Sequence, residues 1–303
     1  MTKLHFDTAF SPNHGKAISL GPGVRRLTCN NPSPFTFHGT NSYIVGEGHV
    51  AVIDPGPDDE THIAALIEAT RGETISHILI THSHVDHSAG ARRLRKICKA
   101  PIFAEGPHRP ARDLHQDERN PLDAEGDADL VIDEIVGDGT LIKGNGWTLE
   151  ALHTPGHTVN HLAFAFPDET GLFSGDHVMA WSTTIVAPPD GSMHAYMDSL
   201  ERLMERNDAV YWPGHGGVIS DPTPFLAGLR AHRQSREQAL IARLEAGEET
   251  IPEMVATVYK DVDRSLHGAA ALSMFAQMEY LLARGLVVCL DETATMTARY
   301  RLA

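Results

Sequence analysis

Short apolar runs and helical spacings alternate along the first hundred residues, and their order predicts a layered α/β fold. The runs Ser42–Val45 and Val50–Ile53 are separated by a glycine-containing turn, which predicts a β-hairpin. Residues 59–70 and Ala91–Lys99 place apolar side chains at helical spacing, and a short buried strand, Ile75–Ile80, lies between them. The order strand, helix, strand, loop, helix is typical of layered α/β architectures.

A long polar connection over residues 105–129 follows, and a connection of this length can cover a site. Short strands separated by turns then recur. We predict these strands at residues 131–136, 141–142, 147–152, 162–166 and 172–174. A helix over residues 194–206 and a last strand over residues 210–212 complete this part of the chain.

Composition changes at Asp221–Pro224, and the change predicts a domain boundary. We therefore expect one domain over residues 1–224 and a smaller one over residues 225–303. In the smaller domain, three helices and two closing strands match a winged-helix pattern. These elements are predicted at residues 225–247, 252–260, 269–284, 286–290 and 298–302.

The composition is that of a globular protein and excludes several other classes. Of the 303 residues, 42% are hydrophobic and 21% are charged, which excludes disorder, collagen and coiled coil. No apolar run approaches the ~18 residues needed to span a bilayer, and residues 1–26 contain no apolar signal segment. Cys29, Cys98 and Cys289 lie far apart, which argues against a thiolate zinc site and favours a reducing cytoplasm.

Charge and histidine content narrow the function classes further. The formal net charge of −15 argues against a broad phosphate-binding surface, because nonspecific nucleic-acid affinity comes from clustered Lys and Arg. Duplex DNA is therefore not an expected partner. The 19 histidines exceed what a neutral core needs, and histidine is the commonest metal ligand.

The strongest chemical signal is the segment Thr81–His87, with the sequence Thr-His-Ser-His-Val-Asp-His, directly after a predicted buried strand. Burying such ionisable groups without partners costs several kcal/mol, and two divalent cations would remove that cost. In an extended turn, His82 and His84 point to the same side and can share one ion. Asp86 and His87 begin the next turn and can face a second ion.

Three further segments each end a predicted strand with one candidate ligand. They are His157 in His-Thr-Pro-Gly-His-Thr, Asp176 in Phe-Ser-Gly-Asp-His and His215 in Trp-Pro-Gly-His-Gly. Each candidate lies beside Gly or Pro-Gly, which form tight turns that aim a side chain at a site. Five histidines and two aspartates suit Zn(II), with Fe or Mn as alternatives, since ligand type alone does not select among them.

This motif set resembles that of the metallo-β-lactamase-fold hydrolases over about residues 1–220, which implies an αββα sandwich. The resemblance implies that Asp176 bridges two metal ions and that Asp54 orients the histidine loop without binding metal. The implied ligands are His82, His84 and His157 for one ion and Asp86, His87 and His215 for the other. A water shared by the ions would become a bridging hydroxide nucleophile, which Asp86 would orient as the catalytic residue.

Several segments away from these ligands resemble one subgroup, the β-lactamase-like protein 2 type. They are Asn31–Tyr43, Ser182–Thr184, Tyr196–Leu200 and His232–Glu237. The resemblance implies a dinuclear metal hydrolase, and the animal member of the subgroup is a single-strand-specific endoribonuclease. The substrate class stays open between single-stranded RNA and a small ester. The alternatives are a glyoxalase II-like thioesterase or lactonase, and a winged-helix protein that binds nucleic acid or a partner.

Polar residues around the motifs supply the remaining candidates. His161 lies just beyond the His157 segment and is a candidate support behind the ligands. His194 and Tyr196 begin the helix after a proline-rich loop over residues 187–192. They are candidate pocket residues that could donate a proton to a leaving group, and the alternative, which the sequence favours, is a capping or packing role at the start of the helix.

Three arginines of the second domain, Arg230, Arg233 and Arg236, fall on one face of its first predicted helix. Phe225 follows His215 by only ten residues, so we expect this domain to lie near the metal centre and restrict access to it. The arginines would either attract an anionic substrate or pair with the acidic N-terminal domain, and the sequence favours neither. The helix could also pack against a second copy in a homodimer.

Overall fold

The computed structural model describes residues 4–115, 126–168, 170–260, 264 and 267–303. The first sheet contains β1 (Ile18–Gly21), β2 (Val24–Thr28), β3 (Asn41–Val45), β4 (His49–Ile53), β5 (Thr74–Leu79), β6 (Ile102–Ala104) and β7 (Glu134–Ile135). The second contains β8 (Thr140–Lys143), β9 (Thr148–His153), β10 (Leu162–Ala165), β11 (Leu172–Gly175) and β12 (Tyr211–Pro213). A hairpin pairs β13 (Val287–Cys289) with β14 (Tyr300–Leu302). The helices are α1 (Glu60–Ala69), α2 (Val85–Ser88), α3 (Gly90–Cys98), α4 (Met193–Met204), α5 (Pro222–Glu245), α6 (Ile251–Val258) and α7 (His267–Ala283).

The two large sheets are both mixed. In the first sheet, β1 to β7 lie side by side in chain order, antiparallel from β1 to β4 and parallel from β4 to β7. The second sheet has the order β12-β11-β10-β9-β8, and only the pair β11 and β12 is parallel. The candidate ligand segments follow the carboxyl ends of β5, β9, β11 and β12, which brings loops of both sheets to one site.

Apolar side chains form three layers, and this arrangement confirms the predicted αββα sandwich. Ile63 of α1 and Leu94 of α3 pack against the outer face of the first sheet. Phe164 and Phe173 lie in the layer between the two sheets. Leu200 of α4 belongs to the layer that covers the second sheet.

The C-terminal helices and hairpin form the predicted winged helix around a core of their own. Residues of α5, α6, α7, β13 and β14 share one apolar cluster. The first turns of α5 contribute Leu226 and Leu229 to the core of the sandwich, whereas Leu240 and Leu244 of the same helix lie in the C-terminal cluster. The helix therefore runs from one core into the other, and the boundary predicted at residue 224 falls in its first turn.

Some predicted elements differ from the structure in extent. The segment 131–136 forms a strand only at Glu134–Ile135, which adds to the edge of the first sheet beside β6. We did not predict β6, because its three residues carry too little pattern to stand out from the surrounding loop. Residues 116–125 of the long polar connection lie outside the described residues. Among the helices that the structure describes, none is long and apolar enough to span a membrane.

Candidate metal centre

Asp54, which follows β4, holds the loop after β5 by hydrogen bonds to Thr81. Asp54 has a left-handed backbone (φ 48°) and is buried. Its carboxylate accepts hydrogen bonds from the Thr81 backbone N–H at 2.8 Å and the Thr81 hydroxyl at 2.7 Å. The end of one strand therefore holds the histidine loop that follows the neighbouring strand.

The structure brings three imidazole nitrogens together as a first candidate site. His84 Nδ1 lies 3.0 Å from His82 Nε2 and 3.1 Å from His157 Nε2. All three residues are buried, and the three nitrogens lie within 4.8 Å of one another. Such spacing, between two histidines of one loop and a third histidine of another, fits ligands around a shared cation.

A second candidate site lies beside the first and combines Asp86, His87 and His215. Nε2 of His87 and Nε2 of His215 are 3.2 Å apart, and each lies 3.4 Å from Asp86 Oδ2. The side chain of Asp86 is 21% exposed, whereas His87 is fully buried. Asp86 therefore marks the open side of the centre.

Asp176, at the end of β11, reaches both sites. One of its oxygens, Oδ2, lies 3.7 Å from His157 Nε2 and 3.2 Å from His215 Nε2. The other, Oδ1, lies 3.5 Å from His87 Nε2 and is buried without a hydrogen-bond donor in the described part of the chain. A buried carboxylate oxygen in this position fits a ligand to a cation, and the imidazole and carboxylate donors suit a divalent metal.

Charges within the second site balance one another. Burial would raise the pKa of Asp176, but His215 and His87 lower it well below its usual range. Burial would likewise lower the pKa of His87, but Asp86 and Asp176 raise it well above the ordinary histidine value. Protons on the imidazoles thus offset the carboxylate charge here, and a bound cation would displace them.

The first site consists of imidazoles alone and behaves differently. Burial lowers the pKa of His82 well below the ordinary value and lowers that of His157 to about 4, with neighbouring histidines adding to the effect. Both rings are therefore neutral near pH 7. Neutral imidazole is the form that binds metal.

In His87 and His157, a hydrogen bond of the ring nitrogen that points away from the centre determines which nitrogen faces the centre. Nδ1 of His87 lies 2.9 Å from Asp54 Oδ2, and Nδ1 of His157 lies 2.7 Å from the carbonyl oxygen of Ile185. Because both partners are acceptors, each Nδ1 carries the proton and Nε2 is left free to bind a cation.

His161, the candidate support residue of the sequence analysis, lies behind Asp176 and contacts its backbone. The backbone N–H of Asp176 donates to His161 Nε2 at 3.1 Å, so the ring proton is on Nδ1, which donates to the Thr154 hydroxyl at 2.8 Å. His161 is fully buried and therefore fixes the backbone that carries Asp176.

His194 and Tyr196 do not reach the candidate ligands. The side chain of His194 is 66% exposed and lies 3.4 Å from Asp198 on the next turn of α4. Tyr196 is fully buried, with its ring 4.6 Å from that of His177. We expected both residues to line a pocket. The structure instead places His194 at the surface and Tyr196 in the core, because of the rotation of α4.

Two polar contacts to the centre were missed in the sequence. The Thr40 hydroxyl donates to Asp86 Oδ2 at 2.9 Å. Asp190, whose side chain is fully buried, places Oδ2 3.4 Å from His84 Nε2 and Oδ1 3.5 Å from His108 Nε2. Asp190 lies in the proline-rich loop over residues 187–192, and only its position beside Pro-Pro at a turn could have singled it out.

Gly214 gives the backbone its close approach to the centre. A Cβ atom at this position would lie 2.4 Å from Asp176 Oδ1 and 2.7 Å from His87 Cε1. Any side chain at position 214 would therefore displace Asp176 and His87, which explains the glycine in the Pro-Gly-His sequence at the end of β12.

Comparison with known families agrees with this geometry. The model of the metallo-beta-lactamase superfamily matches residues 35–215, a range that contains all seven candidate ligands. The chain belongs to the metallo-beta-lactamase superfamily. A second model, that of the beta-lactamase associated winged helix domain, matches residues 250–294. Membership of the superfamily and the clustered histidine and aspartate side chains of the two candidate sites make this chain a metal-binding hydrolase.

Individual members of the superfamily resemble nearly the whole chain. The beta-lactamase-like protein 2 homolog of Caenorhabditis elegans is 29% identical over 277 residues, which cover 88% of this chain and 87% of that protein. An atrochrysone carboxyl ACP thioesterase of Aspergillus chevalieri is 32% identical over 256 residues, or 82% and 74% of the two chains. A beta-lactamase domain protein of Burkholderia ambifaria has the same fold, with a TM-score of 0.80 at 21% identity over 98% of this chain and 96% of that one.

Proposed function

We propose that the chain hydrolyses an acyl thioester, with Zn(II) in the metal centre and Asp86 as the catalytic residue. The observation that carries this proposal is a cavity of about 330 Å³ whose wall includes residues 181–185. The same segment touches the centre: the Ile185 carbonyl accepts from His157 Nδ1, and the Thr184 hydroxyl donates to the Asp176 carbonyl at 2.7 Å. The segment 181–185 therefore borders the cavity on one side and the candidate metal centre on the other, so an acyl chain in the cavity would lie close to a thioester bond at the centre.

The shape and lining of this cavity favour an acyl chain over a nucleic acid. Helices α5, α6 and α7 close it from the C-terminal side with Leu240, Val258 and Met274. Its volume lies at the lower end of the range for small-molecule sites, about 300–1,000 Å³. RNA would need an extended cationic groove, and the chain carries a net charge of −15.

The relatives support the same substrate class. One of them is named as a thioesterase that acts on an acyl carrier protein, and it covers 82% of this chain at 32% identity. The five imidazoles and two carboxylates suit Zn(II). A thioester is also a substrate that the centre can attack without a serine or cysteine nucleophile.

The chain's own residues would position the reactants. When bound, two divalent ions supply an acidified water and polarise the carbonyl oxygen. Asp86, held by the Thr40 hydroxyl, keeps one carboxylate oxygen in place and can accept the proton of the attacking water. Asp54 and His161 hold His87 and the Asp176 backbone in position for this step.

The test is a substrate panel with the zinc-loaded protein. The panel contains N-acetylcysteamine thioesters with acyl chains of increasing length, the matching oxygen esters, lactones and a single-stranded RNA. We expect thiol release whose kcat/KM increases with acyl length, and loss of release in Asp86→Ala. Cleavage of the RNA without thioester turnover would overturn the proposal.

A cavity-filling variant connects the activity with the cavity. Ala270 of α7 lines the cavity, so Ala270→Phe should lower kcat/KM for long acyl chains and leave the acetyl thioester nearly unaffected. Equal loss for all chain lengths would place the acyl group elsewhere. Thermal unfolding of the variant separates this result from a loss of folded protein.

A further inference from the structure

The cavity beside the metal centre has a cationic wall as well as an apolar one. Its lining includes His232, Arg233 and Arg236 of α5, and the described residues around it contain no Asp or Glu. Trp181 and Tyr259 add aromatic surface on either side. Among the described residues, the charged side chains of this lining are thus basic only, in a chain whose net charge is −15.

Arg233 is buried in this wall, with 5% of its surface exposed. Its guanidinium lies 4.7 Å from the centre of the Tyr196 ring and donates one hydrogen bond, from Nη2 to the Thr184 carbonyl. Its Nε has no acceptor among the residues that the structure describes. Among the described residues, its hydrogen-bond partner is therefore one backbone carbonyl, and no carboxylate compensates its positive charge.

Arg236, one turn further along α5, is half-buried and lies 4.7 Å from the centre of the Tyr259 ring. Within the described ranges it has no hydrogen bond and no carboxylate within 4.0 Å. Several other arginines are paired: Arg92, Arg206 and Arg284 each lie within 2.8 Å of a carboxylate oxygen. Among the described residues, the two arginines at the cavity have no such counter-ion.

Burial of a cation without a counter-ion is unfavourable, and an anion that enters the cavity would relieve it. Arg and carboxylate or phosphate groups also form charge-assisted, often bidentate, hydrogen bonds. The apolar wall of Leu240, Val258 and Met274 faces the same volume. The best-fitting ligand therefore carries an anionic group on an apolar chain.

We propose that this cavity is an anion subsite in which Arg236 and Arg233 bind the carboxylate or phosphate group of an amphipathic organic substrate. The proposal rests on the thioester hydrolase function, since the cavity shares its loop wall with the metal centre. The anion could belong to the acyl group, as a distal carboxylate, or to the thiol arm, as a phosphate. Either source uses the same two guanidinium groups.

The experiment measures binding, so that it does not depend on turnover. Isothermal titration of the zinc-loaded protein compares 4′-phosphopantetheine with pantetheine, and octanoate with octanol. We expect at least one anion to bind at least tenfold more tightly than its neutral counterpart. Preference for the phosphate would assign the subsite to the thiol arm, and preference for the carboxylate would assign it to the acyl group.

Three variants locate the binding. Arg236→Gln should weaken the anion about tenfold, the loss expected for one charge-assisted hydrogen bond, and leave the neutral ligand unchanged. Arg236→Lys should restore part of the affinity. Arg230→Gln removes the same charge from α5 outside the cavity lining and should change neither ligand.

The proposal is overturned if neither anion binds more tightly than its neutral counterpart, or if Arg236→Gln and Arg230→Gln weaken the anion equally. Both of these binding results can be interpreted even if the protein hydrolyses no thioester, because binding is measured directly. Conversely, thioester turnover without anion preference would retain the hydrolase function and remove the subsite.

Discussion

Replacing Asp54 by Asn tests how the buried carboxylate controls both metal sites. Asp54 Oδ2 accepts from His87 Nδ1 at 2.9 Å and from the Thr81 hydroxyl at 2.7 Å. Because that hydroxyl donates to Asp54, its contact with His82 Nδ1 at 3.0 Å must be one in which the ring donates. One carboxylate oxygen thus sets the tautomer of one histidine in each site.

Asn keeps the size of the side chain but reverses this pattern. If its amide nitrogen takes the place of Oδ2, it donates to His87 Nδ1 and moves the ring proton to Nε2, the atom that faces the centre. Loss of a charge-assisted hydrogen bond costs about 1.5–3 kcal/mol. Removal of a group that orients a metal-bound histidine typically lowers affinity about 10–100-fold, or about 1.4–2.8 kcal/mol, so the two estimates agree.

Competition with a zinc chelator at pH 7.5 measures this loss, and Asp127→Asn is the matched control. Asp127 is also a buried carboxylate, and it accepts from Ser88 Oγ at 3.0 Å and Arg92 Nη1 at 2.8 Å without touching a ligand ring. We expect Asp54→Asn to lose 10–100-fold in zinc affinity, and Asp127→Asn to lower only the melting temperature. Zinc affinity within twofold of wild type in Asp54→Asn would refute the tautomer argument.

Three further predictions follow from the same structure. Asp176→Ala should lose both ions, because its two oxygens reach both sites; zinc analysis that still finds two ions per chain would contradict this. Asp86→Ala should abolish thioester turnover but keep at least one ion, since the site of three histidines is complete without it; the test is zinc content alongside kcat. Protonation of His62 should destabilise the fold at acidic pH, because burial lowers the pKa of this histidine from 6.5 to about 4. The neutral ring's contribution is complete above about pH 6.5 and is lost as the pH falls toward 4, by on the order of 3 kcal/mol. His62→Asn should flatten the pH dependence of the unfolding free energy over this range, and an unchanged slope would be evidence against the burial effect.

The candidate metal ligands could be predicted from the sequence because they lie in short, recognisable motifs. His82, His84, Asp86 and His87 lie in one loop, and Asp176 and His215 lie beside glycines at strand ends. The hydrophobic pattern likewise predicted a layered α/β fold, since its strands alternate with turns and its helices bury one face, and the resemblance of the motifs to a known family specified the sandwich. What these features share is that neighbours in sequence determine them.

Contacts between distant loops could not be predicted in the same way. Asp190 approaches His84 across 106 positions in the chain, and Thr40 reaches Asp86 across 46. Thr40 lies in the segment Asn31–Tyr43, but the resemblance of that segment assigned it no role, and Asp190 stands in no motif. Both contacts depend on which loops the two sheets bring together. His194 and Tyr196 show the converse: proximity to a proline-rich loop suggested a pocket, but the rotation of α4 decided which way each side chain points.

The two sheets contribute to the metal centre in a way that links metal binding to their packing. The loop after β5, from the first sheet, supplies His82, His84, Asp86 and His87, and loops of the second sheet supply His157, Asp176 and His215. Each candidate site thus draws ligands from both sheets. Beneath them, the apolar layer between the sheets buries Phe164 and Phe173 without needing an ion. We therefore expect the sandwich to fold without metal, with the ions fixing the loops at its edge rather than holding its core together.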